Sequence, residues 1–223
     1  MIGPMPLPHA TLPLAPDELL STTRSVRKRL DLDRPVPLEL IRESLEVALQ
    51  APSGSNAQGW HWMVVTDPEL RAGIGEYYGK AFAAYRDSPS YAGRTASGSS
   101  ERQEVQTRVA SSADHLAEVM GRVPVHVIAC ITAGEELPRG NQAGLWGSLL
   151  PAAWSFQLAA RARGLGSAWT TLHLRYEREI AALLGIPSGV RQGVLLPTAY
   201  FTGETFRPAK RDPLDQVLHL DRW

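Results

Sequence analysis

Apolar positions 38, 41, 45, 48 and 49 recur at spacings of three and four, which predicts a helix over residues 38–49 with one apolar stripe. Residues 17–29 also favour helix, with Asp17 at the N-cap and Glu18 in the first turn, and the two prolines within 31–37 break it. Met63, Val64 and Val65 run together without polar alternation, so 60–66 reads as a strand covered on both faces. Asp67-Pro68-Glu69 opens a helix over 69–85, and helical character resumes over 103–120. Between them, residues 88–100 hold Ser, Gly, Pro and Thr with hardly an aliphatic, the composition of a mobile loop or lid. A second buried strand is predicted over 124–131. Residues 147–163 are apolar nearly all round and mark a central helix buried on most sides. Gly164-Leu165-Gly166 stops that helix, and a third strand follows over 167–172. A short helix over 176–184 ends at Gly185, a fourth strand spans 192–201, and 207–223 form a polar arm containing Pro208 and Pro213. The pattern predicts one α+β domain over 17–223, with long helices on a modest mixed sheet and a Pro-rich tail over 1–16. A variable, lid-like insertion falls at about 86–122.

Composition narrows the partners. Lys plus Arg and Asp plus Glu are 23 each, so the net charge is zero, and neither nucleic acid nor an anionic membrane surface is an expected partner of the global field. No run of about 18 apolar residues exists, so no spanning helix is expected. The first 16 residues lack the basic leader and apolar stretch of a signal peptide. The single cysteine, Cys130, excludes an internal disulfide and fits a reducing compartment; a cytoplasmic location is expected. Within an apolar strand, Cys130 should be inert and His126 a structural histidine.

Phosphate loops, G-x-S-x-G elbows and H-E-x-x-H motifs are missing, and the six histidines are scattered, so no metal is expected. What stands out is a capacity to hold a polyanion with a planar ring. Arg24, Arg27 and Lys28, spaced three and four apart beside Ser25, offer guanidinium groups to a phosphate; a solvated basic helix end is the even-odds alternative. Residues 51–60, Ala-Pro-Ser-Gly-Ser-Asn-Ala-Gln-Gly-Trp, place donors and acceptors suited to a heterocycle, although an ordinary helix–strand turn uses the same residues. Gly164 to Thr171 combines small residues, which let backbone approach a planar ligand, with two hydroxyls. Lys210-Arg211 form a second cationic pair in the arm. Trp146, Trp154 and Phe156 read as core and dimer packing rather than as a substrate box.

In this order the motifs resemble the nitroreductase family of FMN-dependent NAD(P)H oxidoreductases, from about Asp17 to the C-terminus. The anchors are Arg24-Ser25-Val26-Arg27 followed by Pro35-Val36-Pro37, Pro52-Ser53-Gly54-Ser55-Asn56-x-Gln58-x-Trp60, Gly164-Leu165-Gly166, and Arg211-x-Pro213-Leu214-Asp215. The resemblance implies a nitroreductase-like fold, a mainly antiparallel mixed sheet flanked by helices, in an intertwined homodimer with two flavin sites at the interface. It implies that Arg24, Ser25 and Arg27 hold the phosphate and pyrimidine edge of FMN, with Arg27 stabilising reduced flavin. Pro52, Ser53, Ser55 and Asn56, with Gln58 in the same turn, would line the flavin from the partner subunit. Thr170 and Thr171 would lie near the reactive N5 side, Trp169 would wall the flavin, and Arg211 with Lys210 would cap the phosphate. Thr23 stands where the family often has a basic residue, so one phosphate contact is either missing or supplied by Lys28, and Gly59 stands for a frequent proline. The implied reaction is transfer from NAD(P)H to a nitroaromatic, quinone or similar small-molecule electron acceptor. The alternatives are reductive dehalogenation or dehydrogenation on the same fold, or flavin binding without turnover.

Overall fold

The computed structural model describes residues 9–94 and 100–223. Its centre is an antiparallel four-stranded sheet of β1 (Trp60–Val65), β2 (Val125–Thr132), β3 (Leu165–Ser167) and β4 (Val190–Tyr200), in the order β1-β2-β4-β3. The register runs Trp60 opposite Ile131, Ile131 opposite Arg191, and Ser167 opposite Thr198.

The apolar runs in β2 and β4 are explained by burial on both faces. Successive side chains alternate between faces. On one face Ile128, Cys130 and Leu195 pack under α3 (Pro68–Asp87), α4 (Ser100–Val119) and α6 (Glu177–Leu184), against Ile74, Tyr78, Leu116 and Ile180. On the other, Val127, Ala129, Val194 and Leu196 meet α2 (Leu38–Ala48) and α5 (Ala143–Ala162) through Leu40, Ile41, Leu149 and Phe156. Phe156 is therefore core packing, whereas Trp154 on the same helix is 37% exposed. Among the described residues, no helix is long and apolar enough to cross a membrane.

Three expectations change. The helix of 17–29 ends early: α1 spans Pro16–Thr22, and the chain then runs without helix from Thr23 to Arg27 and turns at Lys28–Arg29, where Leu30 N–H donates to the Arg27 carbonyl. The hydroxyls of Thr22 and Thr23 bond back to the carbonyls of Glu18 and Leu19, at 2.6 Å each, and compete with further helical bonding. The edge of β3 offers the freed backbone a partner. Val26 N–H donates to the Ser167 carbonyl at 2.8 Å, and Ser25 pairs with Ser167 in an isolated parallel bridge, the one parallel contact beside the antiparallel ladders of the described sheet. Val26 lies so close that a Cβ on Gly166 would sit 3.1 Å from its side chain. The third strand is shorter and earlier than predicted, because residues 168–170 follow β4 only through one bond from Ala168 to Pro197 and an isolated bridge between Thr170 and Leu195, not a continuous ladder. Residues 88–94 of the loop form turns held to α3 and α4, with Tyr91 bonded to Asp114 and packed edge-on against Phe82 and Tyr85. The rest of that loop, 95–99, lies outside the described residues. Residues 9–14 of the tail lie on this chain's own helices: Leu12 N–H donates to the Ala162 carbonyl, and His9 pairs with buried Glu43, which also holds Arg163.

Candidate functional site

Where the extended segment after α1 crosses the end of β3, several of the sequence candidates meet. The Trp169 N–H donates to Ser25 Oγ at 3.1 Å, fixing a half-buried indole beside the Arg24–Arg27 segment. Thr170 is tied to β4 by two backbone bonds with Leu195, and its hydroxyl turns inward to the phenol of Tyr78, 3.0 Å away. Thr171 is exposed, and its hydroxyl and N–H have no partner among the described residues.

Arg27 projects beside this strip. Its guanidinium is half-buried and within electrostatic reach of the phenols of Tyr78 and Tyr85 on α3; no carboxylate pairs with it among the described residues. Burial pulls its pKa below the ordinary arginine value, while the two phenols oppose that shift. Tyr78 moves the other way: burial raises its pKa, and the bond to Thr170 and the nearby Arg27 hold it back.

The remaining cations separate into two groups. Arg24 is exposed and donates to the Arg207 carbonyl at 3.0 Å, which ties the root of the C-terminal arm to the site. Three and four residues further on, Lys210 pairs with Glu101 of α4 and Arg211 lines a groove of ≈ 550 Å³ with Glu101 and Arg102. Lys28 is directed elsewhere. It does not share a helical face with Arg24 and Arg27, because there is no helix there, and its ammonium donates to Ser111 Oγ of α4 at 2.7 Å.

The polar turn lies apart from all of these. Ser53 Oγ accepts from the Gln58 N–H, Asn56 Oδ1 accepts from Gln58 Nε2, and Ser148 of α5 caps Gly54. Ser55, Asn56 and Gln58 hold φ of 53, 53 and 49°, left-handed conformations that cost non-glycine residues roughly 1 kcal/mol or more each. Pro52, Ser55, Asn56 and Gln58 are exposed and Ser53 is half-buried. The turn feeds β1 at one edge of the sheet, whereas Ser25 and Trp169 lie at the opposite edge beside β3. For Thr170, which pairs with Leu195, three strand spacings make that roughly 14 Å across, with a further offset of roughly 13 Å along β4 between Arg191 and Leu195, and Ser25 lies one spacing further out.

Sequence reasoning missed Tyr78 and Tyr85. Tyr78, Phe82 and Tyr85 are visible as an aromatic stripe at helical spacing, which signals only a buried face. His126 and Cys130 behave as structural residues: His126 Nε2 bonds the Met120 carbonyl, and burial pushes the Cys130 thiol up to about 12. Among the described residues no three His, Cys, Asp or Glu side chains converge to hold a metal ion.

Comparison with known proteins gives this arrangement its context. The profile of the nitroreductase family matches residues 20–200. A protein named NADH dehydrogenase from Thermus thermophilus is 30% identical over 94% of this chain and 98% of its own length. Iodotyrosine deiodinase 1 from Rattus norvegicus is 27% identical over 90% of this chain and 67% of its own. The fold is shared with an FMN-dependent nitroreductase from Mycobacterium smegmatis solved with NADPH, at TM-score 0.65 and 22% identity over 92% of this chain and 97% of that one. It is also shared with an iodotyrosine deiodinase bound to FMN and 3-iodo-L-tyrosine, at TM-score 0.64 and 24% identity over 88% and 95%.

Proposed function

This chain belongs to the nitroreductase family, and from that premise we propose that it is an FMN-dependent oxidoreductase carrying electrons from NAD(P)H to an electron-poor small molecule such as a nitroaromatic or quinone. Arg27 carries the reading. A half-buried guanidinium without a neutralising carboxylate has lost much of its hydration and calls for an anionic ligand to offset the loss. FMN fits the residues around it: an anionic tail for arginines, a heterocycle edge for serine and backbone, and a flat ring system for an indole.

In this reading Arg27 and Ser25 hold the pyrimidine edge, Arg24 the phosphate, and Lys210 and Arg211 close over the phosphate from the arm. When bound, FMN supplies the two-electron exchange between nicotinamide and acceptor. The chain's own side chains set its position and field. Arg27 stabilises negative charge that develops on the pyrimidine edge, in a site shielded from water where such a cation acts strongly. Trp169, fixed by Ser25, excludes water from one side. Thr171 offers a hydroxyl and an N–H at the mouth, and Thr170 backs it from within.

The opposite-edge placement of the Pro52–Gln58 turn argues for a homodimer in which each site takes Arg24, Ser25 and Arg27 from one chain and Pro52, Ser53, Ser55, Asn56 and Gln58 from the other. An apolar groove between α2 and α5, lined by Leu19, Val47, Ala51, Pro52 and Leu158, supports that assembly, as do the exposed Leu214, Val217, Leu220 and Trp223 of the arm.

A second reading, reductive dehalogenation of a halogenated aromatic, is supported by the likeness to rat iodotyrosine deiodinase 1 along 90% of this chain. One experiment tests both. The purified protein is expected to be yellow, to bleach with NADPH or NADH without oxygen, and to recover colour with a nitroaromatic or quinone. Recovery with 3-iodotyrosine instead selects the second reading, and a protein that takes up no FMN on reconstitution overturns both.

A further inference from the structure

Thr66 directly follows β1 and Pro124 directly precedes β2, and off this end of the sheet lies a cavity of ≈ 570 Å³ that the proposed function leaves unused. It shares no residue with the group of Ser25, Arg27, Trp169 and Thr171. In the strand order Ser25 lies three spacings beyond β2, roughly 14 Å across. Three arginines from different elements line the cavity: Arg34 in the segment leading into α2, Arg71 in the first turn of α3, and Arg122 in the turn at 120–122. Asp33 is the one acidic residue in the described lining.

The local structure leaves these cations without counter-charge. Arg71 is half-buried; its Nε donates to the Thr66 carbonyl at 3.1 Å and its Nη1 to the Val123 carbonyl at 2.8 Å, which fixes the guanidinium and leaves Nη2 over. Arg34 sets its guanidinium over the Tyr200 ring, 3.4 Å from the centroid, and keeps its N–H edge for an acceptor. Arg122 is exposed. Nearby carboxylates are engaged locally. Asp31 Oδ1 accepts from the N–H groups of Asp33 and Arg34, and Asp67 Oδ1 accepts from those of Glu69 and Leu70 at the start of α3. Among the described residues no carboxylate, Asp33 included, lies within 4.0 Å of any of the three arginines. Like charges gathered in one cavity repel each other and focus a positive field, and a bound anion relieves both. Guanidinium forks match phosphate oxygens in pairs. The volume falls within the roughly 300–1,000 Å³ of pockets for organic ligands, so there is room for more than the anionic group itself.

We propose that this cavity is a second binding site, for a phosphate group carried by a small organic molecule and held by Arg34, Arg71 and Arg122. Arg71 supplies a rigid donor, and Arg34 and Arg122 supply the charge that completes the grip. The site goes beyond the flavin reading and shares no residue with it, so either can fail while the other stands.

The test is calorimetric titration of the FMN-saturated protein, which removes competition at the flavin site, with AMP, inorganic phosphate and adenosine at constant ionic strength. AMP is expected to bind with a dissociation constant of about 1 mM or tighter, and adenosine at least about ten-fold more weakly. Inorganic phosphate binding as tightly as AMP identifies free phosphate as the occupant, and weaker binding identifies an ester; both support the site. Arg34→Gln and Arg122→Gln change exposed positions and keep the fold. Each should weaken AMP about ten-fold or more, the scale of one charge-assisted hydrogen bond, with the flavin spectrum unchanged. The proposal is overturned by a wild-type protein that shows no saturable binding of AMP or phosphate up to about 10 mM, or by adenosine binding as tightly as AMP. AMP affinities within about two-fold of wild type in both variants overturn it as well, since AMP then binds elsewhere on the molecule.

Discussion

Arg27 and the two buried histidines show how one side chain's surroundings set its chemistry. Arg27→Ala removes a charge-assisted contact of about 1.5–3 kcal/mol, so FMN affinity should fall about 10- to 100-fold with little change in melting temperature. Fluorescence titration of the apoprotein measures it. His126 and His173 are fully buried, and burial brings their pKa values to about 4 and about 3. The unfolded chain takes up these protons near pH 6.5 while the folded one refuses them. Stability is therefore complete above about pH 6.5 and is lost as pH falls toward the folded values, on the order of 3 kcal/mol between pH 7 and 5 from the pair. Urea denaturation at the two pH values should show it; equal midpoints would mean that the histidines are not held neutral. At this scale residue type singled out Arg24, Ser25 and Arg27, and the structure places that segment at one edge of the sheet. It was no guide to Tyr78, whose partner Thr170 lies 92 positions away in the chain.

Secondary structure was legible wherever burial and period agreed. α2 and the two central strands keep their predicted bounds within two residues, because a helix stripe or a run covered on both faces leaves few alternatives. The segment after α1 misled for a definable reason. Arg24, Arg27 and Lys28 have helical spacing, yet backbone pairing with Ser167 outweighs weak intrinsic preference. α3 offers a clean contrast between two of its glycines. A Cβ on Gly75 would fall 2.7 Å from the Gly121 backbone nitrogen, so Gly75→Ala forces backbone apart and should destabilise by about 2 kcal/mol. Gly79 has nothing within 4 Å of such a Cβ, so Gly79→Ala should be neutral or stabilising by up to about 1 kcal/mol through helix propensity. Paired thermal melts check the ordering, and equal losses would contradict the close approach of α3 to the 120–122 turn.

For the molecule as a whole, the polar turn and the arginine segment both stand out in the sequence as candidate binding segments. Their separation was not, because strand order is a property of the folded sheet. From that separation a dimer is expected in light scattering at micromolar concentration, and removal of residues 214–223, with their exposed Leu214, Leu220 and Trp223, should shift it toward monomer. A site shared between two chains, as proposed above, would permit rescue between two crippled chains. One variant would carry Arg27→Ala, the other Ser53→Ala with Asn56→Ala, and each alone would bind FMN poorly. After unfolding and refolding together in equal amounts, about half of the pairs are mixed, and each mixed pair rebuilds one undamaged flavin site out of two, so about a quarter of the original yellow capacity should return.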